Sequence, residues 1–215
     1  MTDDDPGSAV ECRVGVRETL VGGGAVQRRL TIHCDFRLAT VDMATCVSCE
    51  RYLGVRPRAD GRPGVVLCHR RDGDAPAPAH ATLRTLVWEA MERDIVCVEA
   101  DVRVEAIAAL LLDWGARGIP VVDESGHPIG MISWPDVTRG PAEVAGVATQ
   151  RSVRDVMVPL AFAVEEGVEL SRAAAVMSGE GFHQLPVLLG DGSIVGLLST
   201  CAVAERVVRA EVAPR

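Results

Sequence analysis

Four of the seven cysteines in this 215-residue chain are spaced as candidate ligands of a metal ion. Cys46 and Cys49 form a Cys-x2-Cys pair, which places two thiolates on one turn. Two single cysteines flank this pair at gaps of 11 and 18 residues, namely Cys34 and Cys68. A tetrahedral site of four cysteines leaves no open position for a substrate, so the expected metal is a structural zinc ion.

Other uses of these cysteines stay open. An iron–sulfur centre, a redox-switched dithiol or four unrelated buried thiols would each fit the same residues. Cys12 is either a reserve ligand or an ordinary strand residue. The odd number of cysteines and the acidic N-terminus MTDDDPGSAV, which has no apolar run, predict a cytoplasmic protein with reduced thiols rather than a secreted disulfide scaffold.

Residues 10–70, which contain the cysteine set, predict a small and mostly β module. Gly-rich turns separate three short runs that are typical of strands, ECRVGVR, RRLTIHC and GVVLCHR. Large apolar residues are few, so the core of this segment is thin and a bound metal would stabilise it. The arrangement looks like a zinc ribbon or a zinc knuckle.

The rest of the chain is built on an internal repeat with an offset of 66 residues. The segment GIPVVDESGHPIGMISWPD at 118–136 aligns without a gap with QLPVLLGDGSIVGLLSTCA at 184–202. The alignment extends upstream to Met91, which matches Met157. Agreement at many glycine and proline positions predicts that both halves share one supersecondary plan.

Each half predicts the order strand, helix, β-hairpin and short helix. In the first half DIVCV is a strand, and Val104, Ile107 and Leu111 lie on one face of the following helix. IPVVD and IGMIS then form a hairpin around the turn ESGHP. Since a unit of this size cannot cover its own apolar face, we expect an α+β fold of two β-α-β-β-α repeats packed sheet to sheet.

This pattern resembles the CBS domain, whose tandem copies form the Bateman module. The resemblance covers about residues 84–210 and rests on the hairpin segments and on two upstream motifs, EAMERDIVCVEADVRVEAIAALL and DVMVPLAFAVEEGVELSRAAAVM. It implies a non-enzymatic regulatory fold that binds adenosine-containing ligands, such as AMP, ADP, ATP or S-adenosylmethionine, between the paired sheets. It also implies a homodimer.

The resemblance implies a ribose site at Ser133 and Asp136. In families like this a Ser/Thr-x-x-Asp pattern after the last strand holds the ribose hydroxyls, and a carboxylate can accept from both hydroxyls of a cis-diol. The second repeat keeps the hydroxyl in Ser199 but has Ala202 in place of the aspartate. We therefore expect one nucleotide cleft around Asp136 and a weak or empty second cleft. The alternative is that Asp136 only caps the short helix.

The remaining ligand contacts are also expected from the resemblance. Adenine would lie against Val96, Ile119 and Pro120, and Cys97 would offer it backbone groups. Arg117 and His183, just before the matched strands, are candidates for a phosphate group. The two cysteines of the repeats, Cys97 and Cys201, are expected to be small buried residues.

Composition predicts the domain boundaries, in chain order: a disordered tail at 1–9, the cysteine-rich module at 10–70, a linker at 71–80, the first repeat at 81–140, a linker at 141–151, the second repeat at 152–210 and a tail at 211–215. The net charge of −8 comes from residues 81–215, whereas residues 51–71 hold six arginines against one acid. The absence of any run of 18 apolar residues argues against a membrane span.

These expectations describe a regulator in which an adenine nucleotide controls what a zinc-binding module contacts. The protein partner is unknown. One alternative is a ligand-free dimerisation scaffold. Another is a nucleotide-controlled, nucleic-acid-binding regulator that uses the basic stretch, although the acidic repeats are poor partners for a phosphate backbone.

Overall fold

The computed structural model describes residues 9–34, 36–37, 39–59, 63–69, 85–138, 151–160 and 162–212. Its described residues form two compact units. The first unit contains residues 9–16 and 29–69, and the second contains residues 17–28 and 85–212. The predicted linker at 71–80, all but the last residue of the predicted linker at 141–151 and most of the two predicted tails lie outside the described residues.

The first unit is mostly β, as the sequence predicts. Its elements are β1 (Ala9–Leu20, of which residues 9–16 belong here), β2 (Val26–Cys34, of which residues 29–34 belong here), β3 (Ala39–Asp42), α1 (Met43–Val47), β4 (Tyr52–Pro57) and β5 (Pro63–His69). Strand β5 pairs antiparallel with both β1 and β4, and β2 pairs antiparallel with β3. Its core is small, with Val14, Ile32 and Val66 as the buried aliphatic residues beside three thiols.

Both repeats of the second unit have the predicted β-α-β-β-α order. The first repeat consists of β6 (Ile95–Glu99), α3 (Val104–Asp113), β7 (Gly118–Val122), β8 (Pro128–Ser133) and α4 (Trp134–Thr138). The second repeat consists of β10 (Val164–Glu165), α5 (Leu170–Glu180), β11 (Gln184–Leu188), β12 (Ile194–Ser199) and α6 (Thr200–Val212). Helix α6 thus extends two residues into the predicted C-terminal tail.

Strand registers confirm that the two halves are copies of one unit. In the first repeat Val121 lies opposite Val98 in a parallel pair and opposite Gly130 in an antiparallel pair. The residues 66 positions later make the same two pairs in the second repeat, with Val187 between Val164 and Gly196. Each β-hairpin also has its register shift immediately after this valine.

The two sheets pack against each other through a shared apolar layer. Ile95, Cys97 and Val122 of the first repeat cluster with Ile194 and Leu197 of the second. The tips of the two hairpins are joined as well, because the amide of Ile194 donates to the carbonyl oxygen of Gly126 at 3.1 Å. This confirms the expected packing of sheet against sheet.

The segment that precedes each repeat packs on the other repeat, which the sequence did not predict. The short helix α2 (Val87–Ala90) joins the core of the second repeat, where Val87 is fully buried. The corresponding 3₁₀ turn Val153–Asp155 joins the core of the first repeat, and β9 (Val158–Pro159) pairs with β8. Each repeat therefore completes the core of its partner.

Matched methionines and glycines show how closely these exchanged segments fit. A Cβ atom at Gly196 would lie 2.7 Å from Sδ of Met91, and one at Gly130 would lie 2.8 Å from Sδ of Met157. Both methionines and both glycines are aligned pairs of the repeat. A residue without a side chain is thus needed on each hairpin because the other repeat's methionine occupies that space.

The N-terminal part of the chain supplies an extra hairpin to the second unit. Residues Arg17–Leu20 of β1 pair in parallel with β6, with Arg17 opposite Ile95. The turn that follows contains Gly23 and Gly24, both with a φ of 85° that favours glycine. The structure therefore divides the predicted 10–70 module, since residues 17–28 belong to the unit of the repeats.

Among the described residues, none of the helices has the length and apolar composition of a transmembrane span.

Candidate functional site

Two clefts in the second unit are related by the 66-residue repeat. The larger, with a volume of about 420 Å³, is called the Asp136 cleft and is lined by Arg117, Gly118, Met131, Ser133, Pro135, Asp136, Val158, Pro159, Leu160, Phe162 and residues 181–186. The smaller, of about 310 Å³, is called the Ser199 cleft and is lined by Glu92, residues 94–96, residues 114–118, His183, Gln184, Leu197 and residues 199–201. Both volumes lie in the range of small-ligand sites.

Each cleft forms where a leading segment, the stretch that precedes one repeat, packs on the other repeat. The Asp136 cleft combines the end of the first repeat's hairpin with residues 158–160 and Phe162, which lead into the second repeat, and β9 in this segment pairs with β8 of the hairpin. The Ser199 cleft combines the second repeat's hairpin with Glu92 and residues 94–96, at the start of the first repeat. Each cleft is thus built from both halves of the sequence.

Asp136 lies in the first turn of α4, and its carboxylate faces back to the residue that begins the turn. Oδ2 of Asp136 accepts from the backbone amide of Ser133 at 2.9 Å and from the hydroxyl of the same serine. No hydrogen bond to Oδ1 is found within the described part of the chain, and the side chain is half-buried. The carboxylate therefore caps the helix with one oxygen while the other stays available within the cleft.

Helix α6 of the second repeat is capped differently. Ala202 stands at the position of the aspartate, and Oγ of Ser199 accepts instead from the backbone amide of Ala202 at 3.1 Å. The serine hydroxyl is thus used by the helix. The Ser199 cleft has no carboxylate at the position where the Asp136 cleft has one.

The walls of the two clefts also differ in polarity. Phe162 and Phe182 line the Asp136 cleft with ring centroids 5.3 Å apart and planes tilted by 51°. Their counterparts in the Ser199 cleft are the smaller Val96 and Ala116. Leu160 corresponds to Asp94, so at these matched positions the first cleft offers an apolar aromatic slot and the second an acidic wall, although Trp114 also lines the second cleft.

Two basic side chains lie at both clefts. Arg117 and His183, which are 66 residues apart, line the Asp136 cleft and the Ser199 cleft alike. Both side chains are exposed. They are the basic groups that an anionic part of a ligand would meet in either cleft.

The predicted ligand residues are only partly brought together. Ser133 and Asp136 share one cleft with Arg117 and His183, whereas Ser199 and Val96 line the other. The other three predicted residues, Cys97, Ile119 and Pro120, are buried in the sheets and line neither cleft.

Sequence reasoning missed the aromatic slot. Phe162 and Phe182 carry no motif of their own, and Val158 and Leu160 lie in the second repeat's leading segment, far along the chain from Asp136. The signal that could have identified them is the 66-residue offset read together with the exchange of segments. The expectation that Cys201 is buried is wrong, because Cys201 is exposed at the start of α6 and lines the Ser199 cleft.

The thiols of the two units differ in surroundings. Burial raises the pKa of Cys97 to about 12, and the same cause, assisted by neighbouring Cys12 and Cys46, raises the pKa of Cys68 to about 12. Burial also raises the pKa of Cys46, with Cys34 and Cys49 adding to the effect. These groups are protonated thiols at neutral pH unless a cation stabilises the thiolate.

Five cysteines of the first unit are therefore neighbours, and Cys12 belongs among them. Cys12, Cys46 and Cys68 pack together in the core, with Cys34 and Cys49 beside Cys46. However, the described residues contain no group of three or more His, Cys, Asp or Glu side chains arranged to hold a metal ion. The geometry does not support the predicted zinc site at Cys34, Cys46, Cys49 and Cys68.

Comparison with known families identifies the repeats. The CBS domain matches the chain twice, at residues 87–143 and at residues 153–209. These matches cover more than half of the chain, and the chain belongs to the CBS domain family. Its second unit is a CBS pair.

Two solved CBS pairs share this fold. CBSX2 of Arabidopsis thaliana, in complex with AMP, is 21% identical with a TM-score of 0.51 and covers 59% of this chain and 98% of its own. The CBS domain pair of protein MJ0100, in complex with 5′-methylthioadenosine and S-adenosyl-L-methionine, is 18% identical with a TM-score of 0.52 and covers 58% of this chain and 97% of its own.

Curated relatives match over part of their length. Uncharacterized protein MK0525 of Methanopyrus kandleri is 25% identical over 113 residues, which is 53% of this chain and 58% of the relative. Homoserine O-acetyltransferase of Methanohalophilus mahii is 27% identical over 121 residues, which is 56% of this chain and 24% of the enzyme. The chain spans less than two thirds of the length of either relative.

Proposed function

We propose that the protein is a non-enzymatic regulator that binds an adenine nucleotide, of the AMP, ADP or ATP type, in the Asp136 cleft. The observation that carries this proposal is the meeting of a half-buried carboxylate, an apolar aromatic slot and two exposed basic side chains in one cleft of about 420 Å³. The AMP complex of CBSX2 and the adenosine-derivative complex of MJ0100 support it through a shared fold.

The chemistry of the cleft fits the three parts of a nucleotide. A purine ring would lie against the slot of Phe162, Phe182 and Leu160 rather than between the two rings, which contact each other, and stacking and burial favour it there. The carboxylate of Asp136 would accept from the ribose hydroxyls, since charge-assisted hydrogen bonds discriminate a diol well. Arg117 and His183 would donate to the phosphate.

Regulation would follow from the way the cleft is built. A ligand in the Asp136 cleft contacts both repeats, so it favours the arrangement of the pair in which both walls reach it. A change in this arrangement would alter what the N-terminal module or a second copy of the chain contacts. Homodimerisation through the repeats and a protein partner for the N-terminal module are parts of this proposal.

Calorimetry with AMP, ADP and ATP tests the site. We expect Asp136→Asn to weaken binding about tenfold or more, because a neutral amide loses the charge-assisted bonds. Asp155→Asn is the matched control, since Asp155 makes the same Ser-x-x-Asp cap with Ser152, at 2.8 Å, outside both clefts. If wild-type protein binds no adenine nucleotide, or if Asp136→Asn binds like wild type, the proposal fails.

The same samples separate the alternatives. A nucleotide that binds only the folded state raises the melting temperature, whereas a ligand-free dimerisation scaffold melts at the same temperature with and without it. A nucleic-acid-binding regulator would bind a DNA or RNA duplex through the basic stretch at 51–71 with an affinity that falls as salt is added.

A structural zinc ion at Cys34, Cys46, Cys49 and Cys68 remains a separate proposal. The neighbouring thiols of the first unit support it, although Cys46 and Cys68 would have to lose their protons against a raised pKa to bind the ion. Metal analysis of protein purified without nickel affinity provides the test. About one zinc per chain would support the site, and a metal content well below one equivalent would contradict it.

A further inference from the structure

The positions of Arg117 and His183 carry an inference about how the two clefts are related. Each residue lies just before a central strand, Arg117 before β7 and His183 before β11, and each lines both clefts. Because the two residues are equivalent under the 66-residue repeat, the pair is related in the same way to each cleft. The two clefts share one set of basic side chains between them.

These two side chains are the basic groups that line the clefts in the described part of the chain. Among the residues that line either cleft in the described part of the chain, Arg117 is the sole arginine and His183 the sole histidine. Within the same described residues, neither side chain makes a hydrogen bond or an ion pair, and both are exposed. Their charge and N–H donors are therefore available to an anion in either cleft.

We infer that the CBS pair binds one phosphate group at a time through Arg117 and His183, so that a phosphorylated ligand in one cleft excludes a phosphate from the other. This inference rests on the proposed nucleotide site. An anion in the Asp136 cleft would draw on the donors of both residues. A second anion would then lack these donors and, in the Ser199 cleft, would meet the carboxylates of Glu92 and Asp94.

The consequence is a distinction between charged and uncharged ligands. AMP in the Asp136 cleft would leave the Ser199 cleft unable to take a second phosphate, whereas adenosine would leave the shared pair free. One chain therefore takes one phosphorylated ligand although it has two clefts. The Ser199 cleft is left to uncharged or positively charged ligands while AMP is bound.

Titration of inorganic phosphate into two preparations of the wild-type chain tests this exclusion. Adenosine-saturated protein is expected to bind phosphate, and AMP-saturated protein is expected to bind it about tenfold more weakly or not at all. Equal phosphate binding by both preparations would overturn the inference, because it would show an independent second anion site. Absence of phosphate binding to adenosine-saturated protein would overturn it as well.

Variants show whether both repeats contribute. Arg117→Ala and His183→Ala should each weaken phosphate binding to adenosine-saturated protein by about fivefold, a modest figure because both groups are exposed. Arg172→Ala is the matched control, an exposed arginine on α5 outside both clefts, and should bind like wild type. Loss in only one of the two cleft variants would contradict a shared pair.

Failure of the nucleotide site would look different. If neither adenosine nor any of AMP, ADP and ATP binds, the proposed function fails, and phosphate is then titrated into the free protein. A single phosphate site that is weakened in both Arg117→Ala and His183→Ala would support the shared basic pair although the nucleoside site has failed. Two phosphate sites, or none, would remove both proposals.

Discussion

The Asp136 cleft and the Ser199 cleft have the same backbone plan and different chemistry. The first combines a carboxylate with two aromatic rings, and the second replaces these groups with Ala202, Val96 and Ala116. The difference shows that a duplicated fold preserves the glycines and methionines that its packing requires, while the residues at the ligand positions are free to diverge.

The exchange of leading segments makes this divergence less visible in the sequence. Each cleft combines one repeat's hairpin with the segment that leads into the other, so its residues come from positions far apart in the chain. A substitution in the 158–162 segment changes the cleft of the first repeat's hairpin. Comparing the two repeats residue by residue therefore mixes the walls of different clefts.

The two cysteines of the repeats give the largest expected contrast. Cys97 is fully buried with a pKa of about 12, whereas Cys201 is exposed in the Ser199 cleft. We expect iodoacetamide to modify Cys201 at least about a thousandfold faster at neutral pH, because the thiolate is the reactive form. Peptide mapping by mass spectrometry over time measures both rates, with Cys201→Ser as the control. AMP should leave the modification rate of Cys201 unchanged if the Ser199 cleft stays empty. Similar modification rates at Cys201 and Cys97 would contradict the burial of Cys97.

The exchanged segments should be equally important in both repeats. Alanine at Gly130 or at Gly196 would place a Cβ within 2.9 Å of a methionine sulfur and of a backbone carbonyl oxygen. We expect each substitution to lower the free energy of unfolding by about 1–3 kcal/mol, the usual cost of overpacking. Denaturant titration measures the loss, and Gly167→Ala, which meets no atom within 4 Å, is the control. A large cost at only one of the two glycines would contradict the symmetric exchange.

A carboxylate placed in the second repeat should give the Ser199 cleft a ribose-binding position. Ala202→Asp gives the second repeat the Ser-x-x-Asp pattern, and we expect it to strengthen adenosine binding in the Ser199 cleft about tenfold. The double variant Asp136→Ala with Ala202→Asp should bind adenosine in the second cleft alone. Calorimetry with adenosine measures both. Unchanged binding in Ala202→Asp would mean that the aromatic wall, rather than the carboxylate, distinguishes the two clefts.

The smallest expected effect concerns the capping carboxylates outside the clefts. Hydrogen bonds from Ser152 lower the pKa of Asp155, so its ionised form favours the folded state. This contribution is present above the ordinary pKa of 3.8 and is lost as the pH falls through the lower folded value. Asp155→Asn should therefore melt within about 3 °C below wild type at neutral pH and at the same temperature in strong acid. A difference that persists or grows at low pH would contradict this role.

Local patterns in the sequence predicted the order of elements in the repeats. The glycine and proline spacing marked the hairpins, and the apolar positions Val104, Ile107 and Leu111 marked the buried helix face, all three of which are buried. The prediction succeeded because turns and amphipathic helices depend on neighbours within a few residues. The exchange of leading segments could not be predicted, since a segment that fits its own repeat by local pattern fits the other copy equally well.

In the candidate site, too, local patterns were predicted from the sequence and contacts between distant residues were not. Ser133 and Asp136 were predicted from a local motif of the family that the repeats resemble, and Arg117 and His183 from their places just before aligned prolines. The structure brings these four residues to one cleft. The aromatic slot was missed because Phe162 and Phe182 meet only in three dimensions. Val96 was expected beside Asp136 from the family resemblance, whereas the structure puts it in the other cleft.

The strand that Arg17 begins in the second unit has a practical consequence for dissecting the protein. Arg17–Leu20 covers the edge of β6, and the guanidinium of Arg17 donates from Nη1 to the carbonyl oxygen of Ile194 at 2.9 Å. A fragment cut in the linker would remove this strand, although it would retain both CBS domains in full. Such a fragment would expose unpaired backbone groups of β6, and an exposed strand edge favours edge-to-edge aggregation. The solubility and assembly of a truncated pair would therefore differ from those of the intact chain.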